Sequence, residues 1–189
     1  MKDHNNLQII AFVGLPGAGV STAVDYLKAK QLPSVYFGGV VLDAMARAGI
    51  EDTPENEQQF REQLRIKEGK DAVVKQIIPQ IHDLANAGQH HIVADGLYTW
   101  SEYKVMKHEF PGQLTVIAIN SPRQLRHRRL SVRDKRPLTA AQAEERDWAE
   151  IENLEKGGPI ALADYSIPND TSSEQFLSRI DQLLLQIEF

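Results

Sequence analysis

Apolar positions in this chain fall into short continuous runs separated by longer stretches of helical spacing. Leu7 to Val13 (LQIIAFV) is nearly continuous and stops at Gly14, the pattern of a strand covered on both faces, as in a parallel sheet. Gly14 to Gly19 (GLPGAG) is a turn cluster, and Ser21 to Lys30 then has helical spacing. Ser34 to Phe37 reads as a second strand and Val40 to Ala48 as a helix stopped by Gly49. Pro54 to Ala87 keeps helical spacing, with a break expected near Gly69, a bend at Pro79 and an end at Gly88. His90 to Ala94 is a third strand, Ser101 to Glu109 a helix, and Leu114 to Ile119 a fourth strand. Ser121-Pro122 should open a basic helix with Pro at its first position, and an acidic helix follows from Thr139 to Glu155, halted by Gly157-Gly158-Pro159. Tyr165 to Ile167 is a last short strand, and Ser172 to Ile187 closes the chain as an amphipathic helix.

Strands alternating with helices predict an α/β fold: about five parallel strands covered on both faces, in one domain over residues 1–189. Neither an internal repeat nor a linker interrupts it. The length allows a sizeable core, and the absence of cysteine excludes disulfides, thiolate metal sites and a cysteine nucleophile. The apolar run near the N-terminus is far too short for a membrane span, so a soluble, cytoplasmic protein is expected. A net charge of −5 argues against a general nucleic-acid binder.

Gly14-Leu15-Pro16-Gly17-Ala18-Gly19-Val20-Ser21-Thr22 fits the phosphate-binding pattern G-x-x-x-x-G-K-[ST] at every required position but one, because Val20 stands where the lysine belongs. Glycines let backbone N–H groups curl around a phosphate, and the following helix offers its N-terminus to the anion. Ser21 would hold Mg²⁺ and Thr22 would reach a phosphate. The bland alternative is a glycine turn between a strand and a helix. Valine cannot supply the positive charge that lysine places against the terminal phosphates. Either another basic group substitutes, or the site binds nucleotide and turns it over slowly or not at all.

Arg123 to Arg136 (RQLRHRRLSVRDKR) holds six arginines and Lys135 against Asp134 alone. On a helix Arg126, Arg129 and Arg133 share one face, and guanidinium forks suit phosphate oxygens, so a lid over a triphosphate is the functional reading. The alternative is a solvated face paired with the acids of the next helix. RNA binding is a third reading, against which stands the lack of interleaved aromatics. Asp95, at the C-terminal edge of the third strand, could hold Mg²⁺ through water or accept a proton from an attacking hydroxyl, or simply cap its turn. His90 and His91 point to opposite faces of a strand and are not read as a metal pair. Trp100 and Trp148 are read as packing residues of the insertion and the lid, with stacking of one of them on a base as the alternative.

Together these segments resemble the P-loop nucleoside monophosphate kinase group, most closely the adenylate-kinase-related proteins known mainly from archaea, which are similar to dephospho-CoA kinases. The resemblance rests on Gly14 to Thr22, on GIEDTPENEQQFREQLRIKEGKDAVVKQIIPQI at 49–81, on Ala94-Asp95-Gly96 with Glu102 behind it, on the arginine-rich stretch, and on ALADYSIPND at 161–170. It implies a three-layer α/β/α sandwich, with a substrate-side helical insertion over 38–88 and a lid over 122–156. It further implies ATP and Mg²⁺ as the bound species and a small nucleotide-like acceptor as substrate. By position, Gly14, Gly17, Ala18, Gly19, Val20, Ser21 and Thr22 would cradle the phosphates, and Ser21 would take the metal. Asn169 would lie near the adenine, Arg126, Arg129 and Arg133 would form the lid, and Asp95 would sit between the substrate phosphates. Three charges expected from the resemblance are missing: valine replaces lysine at Val20, glycine an acid at Gly39, and tyrosine an arginine at Tyr98. Asp43 and Arg47 could compensate. Two functions fit: a phosphotransferase acting on a nucleoside monophosphate or dephospho-CoA, or a nucleotide-binding module that signals by lid closure.

Overall fold

A computed structural model describes residues 6–134 and 136–189, with Pro54, Glu55 and Gln58 described for their backbone alone. Lys135 of the basic stretch lies outside the described residues. Five strands, β1 (Gln8–Val13), β2 (Ser34–Tyr36), β3 (His91–Asp95), β4 (Leu114–Asn120) and β5 (Tyr165–Pro168), form one parallel sheet in the order β2-β3-β1-β4-β5. β1 is central, with Ile10 beside Val93 of β3 and Ala11 beside Val116 of β4.

Because successive side chains on a strand point to opposite faces, the continuous apolar run of β1 feeds two cores at once. Ile9, Ala11 and Val13 join one core with α2 (Phe37–Arg47), α4 (Ala72–Asn86) and α5 (Trp100–Glu109). Ile10 and Phe12 join the other with α1 (Val20–Ala29) and α9 (Ser173–Gln186). The result is the expected three-layer α/β/α sandwich. It directs the C-terminal ends of the strands, and the loops that follow them, to one edge, where α/β sheets bind ligands.

Several boundaries differ from the sequence reading for identifiable reasons. The break expected near Gly69 is there, since α3 (Pro54–Glu68) and α4 are separate helices and a φ of 96° at Gly69 ends the first. Pro79 sits within α4. Phe37 starts α2 instead of ending β2, and it is buried in the first core. Pro122 is the N-cap of α6 (Arg123–Val132), one position earlier than expected. α7 (Ala140–Glu152) begins at a capping box in which Thr139 and Gln142 bond reciprocally, and it ends before Glu155. Gly157-Gly158-Pro159 does more than stop a helix, for it opens the short α8 (Gly157–Ala161). There a Cβ on Gly158 would come within 2.7 Å of the Trp100 indole.

Candidate phosphate-binding site

The glycine loop runs from the end of β1 into α1, and its conformation requires glycine: φ is 79° at Gly17 and 109° at Gly19. The Ala18 N–H donates to the Leu15 carbonyl at 3.0 Å and closes the turn. What holds the loop is a set of distant side chains that take its carbonyl oxygens. The Pro16 carbonyl accepts from Arg126 Nη1 at 2.9 Å, the Gly17 carbonyl from Arg129 Nη1 at 3.3 Å, and the Ala18 carbonyl from Asn169 Nδ2 at 2.7 Å. A peptide C=O and the next N–H point in opposite directions. Drawing the Pro16 and Ala18 carbonyls outward therefore turns the Gly17 and Gly19 N–H groups toward the cavity. Gly19 caps α1 without a side-chain bond, so the first-turn amides of Val20, Ser21 and Thr22 are left for an anion. The Ser21 and Thr22 side chains are exposed and line the cavity.

The three arginines expected on one helical face have separate placements, because α6 ends at Val132 and Arg133 is its extended C-cap. Arg126 is buried and makes a two-pronged pair with Asp147 of α7, at 2.7 and 2.8 Å. His127 Nε2 lies 3.0 Å from the same carboxylate. Burial opposes the charge on Asp147, but the Arg126 and His127 hydrogen bonds outweigh it and hold its pKa below the usual carboxylate range. Arg129 reaches Ser121 Oγ at 3.0 Å and Asn169 Oδ1 at 3.1 Å as well as the loop, and it lines the cavity. Arg133 also lines the cavity, and its Nε donates to the Arg136 carbonyl at 2.6 Å. Burial, then Arg146 and Arg136, lower the Arg133 pKa. Asn169 is buried, with its amide divided between Ala18 and Arg129. Ala18 itself is buried in the second core. Val20 lines the cavity with Gly14, and one of its methyls lies 3.1 Å from where a Gly14 Cβ would stand.

Asp95 is engaged by Lys28 Nζ at 2.7 Å and is not among the residues lining the cavity. Glu102 is buried, with Oε2 accepting from the Tyr98 and Thr99 N–H groups. Burial raises its pKa, opposed by those bonds and by Arg65. Asp43 and Arg47 are exposed on α2 and do not line the cavity, so the compensation expected of them fails on position. Trp100 packs as expected, stacked on Tyr103 with ring centroids 5.2 Å apart. Trp148 does not pack, being 62% exposed.

The cavity measures about 590 Å³, within the range of small-molecule sites. Among the described residues its wall carries six cationic side chains (Arg61, Arg65, Arg129, Arg133, Arg146 and Lys156) against two carboxylates, Glu57 and Glu150. In a chain of net charge −5 this is a marked local excess of positive charge. Arg61 pairs with Glu57, one turn earlier on α3. Burial lowers the Arg65 pKa, and the Glu102 charge opposes that shift. None of Arg61, Arg65, Arg146 or Lys156 stands out in the sequence. The available signal was the one-turn spacing of Arg61 and Arg65 on a helix that begins after the Thr53 cap.

A glycine loop held carbonyls-outward between the central strand and an uncapped helix, opening on a cationic cavity, defines a P-loop domain of kinase-like fold. The chain belongs to the AAA domain family, whose model matches residues 10–153, and to the UPF0200 proteins. It is 33% identical over 182 residues to the UPF0200 protein of Thermococcus onnurineus, covering 95% of this chain and 97% of that one. In fold it is similar to shikimate kinase from Bacteroides thetaiotaomicron, with TM-score 0.59, 17% identity, and 96% and 99% of the two chains covered. It is also similar to dephospho-CoA kinase from Campylobacter jejuni, with TM-score 0.55, 18% identity, and 96% and 98% covered.

Proposed function

We propose that the chain is an ATP-dependent phosphotransferase of the nucleoside monophosphate kinase type, acting in the cytoplasm on a nucleoside monophosphate or a related small nucleotide such as dephospho-CoA. The observation that carries this reading is the braced glycine loop facing a cavity with six cations and two carboxylates in its wall. What supports the fit to a triphosphate is the left-handed glycine loop ahead of an uncapped helix, which leaves no room for a side chain at Gly19, where a Cβ would come within 2.3 Å of Asn169 Nδ2. The Ser21 hydroxyl, exposed at the start of α1, is the group that would take Mg²⁺, which when bound supplies charge neutralisation of the phosphates. Among the described residues no helix is long and apolar enough to cross a membrane.

In the reaction an acceptor oxygen forms a bond to the γ-phosphorus as the bond to the β,γ-bridging oxygen breaks. ADP leaves with that electron pair; a phosphate acceptor attacks as its anion, and a hydroxyl acceptor gives its proton to water. Residues 122–156 act as the lid, with Arg129 and Arg133 facing the phosphates and Arg126 fixing the loop beneath them. Residues 38–88 enclose the acceptor, with Arg61 and Arg65 as its cations. Asp95, held by Lys28 and outside the cavity lining, is given no direct contact with the acceptor in this arrangement. Asn169 holds the loop at the edge where the adenine enters. Loss of one strong electrostatic donor removes roughly 3 to 4 kcal/mol of transition-state stabilisation, so turnover without a lysine at position 20 is expected to be slow unless another cation substitutes.

A second reading is favoured by two particulars, Val20 and the Lys28–Asp95 pair. In it the protein binds nucleotide and signals by lid closure without transfer. Incubation with γ-labelled ATP and a panel of nucleoside monophosphates, dephospho-CoA and shikimate separates the two. Label in one acceptor establishes the phosphotransferase. Nucleotide-dependent thermal stabilisation with no labelled product establishes the binding module, and the absence of both removes the premise they share.

A further inference from the structure

The cavity wall contains one ammonium group, at the very end of the lid stretch, to which the function above gives no role. Lys156, between α7 and α8, is only 5% exposed, an unusual state for lysine. Its Nζ bonds the Glu150 carboxylate and stands 4.8 Å from the centroid of the Tyr98 ring. Both neighbours line the same cavity as Val20. The turn does not need this side chain to form, since the Lys156 N–H already donates to the Glu150 carbonyl at 3.1 Å. One carboxylate satisfies one of three ammonium donors, and an aromatic face is a weak further partner.

The cations bonded to the loop are committed. Arg126 is held by Asp147 and Pro16 and Arg129 by Gly17, Ser121 and Asn169, whereas Arg133 gives its Nε to the Arg136 carbonyl and offers a planar fork where a lysine offers a compact charge. Among the described residues Lys156 is the one lysine lining the cavity. Lysine differs from arginine in being a compact point charge on a stem with rotatable bonds, able to exchange one oxygen partner for another. Glu150 holds the ammonium in the wall until a stronger anion enters.

We propose that Lys156 supplies the mobile positive charge that Val20 does not, moving from Glu150 to the terminal phosphates when a nucleoside triphosphate fills the loop. The inference rests on the triphosphate-binding part of the function proposed above and adds a residue to it. Lys156 is thereby a phosphate-contacting residue, and Glu150 positions it.

Calorimetric titration of the full chain with ATP and with ADP, each with Mg²⁺, tests the assignment in wild type, Lys156→Met, Glu150→Gln and the double variant Lys156→Met/Val20→Lys. Lys156→Met should weaken ATP by about tenfold or more while leaving ADP nearly unchanged, as loss of one charge-assisted bond to the terminal phosphate requires. Val20→Lys added to it should restore the preference for ATP. Glu150→Gln, which frees the ammonium, should tighten ATP. A merely structural staple gives a lower melting temperature without nucleotide and an unchanged ratio of ATP to ADP affinity, and that result overturns the proposal. Should Lys156→Met fail to fold, Glu150→Gln decides, since an unchanged ratio there is equally contrary. Wild type binding neither nucleotide sinks the function itself, whereas wild type favouring ATP with a ratio that survives Lys156→Met sinks the Lys156 assignment alone.

Discussion

The two sides of the cavity are built in different ways. On the loop side the groups offered to a ligand are mainly backbone amides, braced by side chains bonded to the loop carbonyls: Arg126 from behind, and Arg129 and Asn169 from the rim of the cavity. On the opposing wall Arg61, Arg65, Arg146 and Lys156 present their own charges, and several rest on carboxylates of the same wall. A cradle of amides depends on backbone shape and keeps its binding capacity when its lysine is replaced by valine. A wall of side-chain charges can be rearranged residue by residue. Damage to the first should appear as lost stability, damage to the second as altered ligand preference.

The largest effect is expected from Arg126→Ala. It strands the buried Asp147 carboxylate with His127 alone and releases the Pro16 carbonyl, for a loss of about 3 to 5 kcal/mol, seen as a melting temperature about 10 °C lower or more. An Arg126→Ala protein as stable as wild type would break the distinction between the two sides. Gly19→Ala comes next. A left-handed φ of 109° and a Cβ 2.3 Å from Asn169 Nδ2 should together remove about 2 kcal/mol, and nucleotide binding with it, in a denaturant titration paired with an ATP titration. Asn169→Ala deletes the bond to Ala18 and the acceptor for Arg129, with an expected loss of about 1 to 3 kcal/mol.

Acidification sharpens the same contrast. The folded-state pKa of Asp147 lies below its unfolded value, so its contribution is complete at neutral pH and is lost as pH falls from about 5 through the unfolded value near 4 toward the folded one. The stability gap between wild type and Arg126→Ala should therefore narrow across that window in melting curves, whereas a gap independent of pH would remove Asp147 from the explanation. The smallest stability effect belongs to the wall. Arg65→Ala should change stability by only about 1 kcal/mol, since its charge also supports the buried Glu102, yet raise the acceptor KM by about tenfold, and a large loss of stability would place Arg65 with the braces.

What could be read from the sequence follows the same division. β1, the glycine loop and α1 are contiguous, so their pattern announced both the fold and the cradle before any contact was known. The braces could not be read in this way. Arg126 meets Asp147 across 21 positions and Asn169 meets Ala18 across 151, distances over which periodicity carries no information. The helical spacing of Arg126, Arg129 and Arg133 was visible, but α6 ends before Arg133, and the division into a buried strut, a clamp and a cavity-facing group depends on what α7 and the β5 loop bring to it. Lys156 was hidden for a different reason, since it follows an acidic helix and precedes a Gly-Gly-Pro sequence that reads as a mere terminator.

Titration of the wild-type chain with ATP and Mg²⁺ in a calorimeter addresses the lysine-free cradle most directly. One site per chain should appear, weakening as salt is raised and favouring ATP over ADP. No heat and no change in melting temperature at millimolar ATP would contradict it.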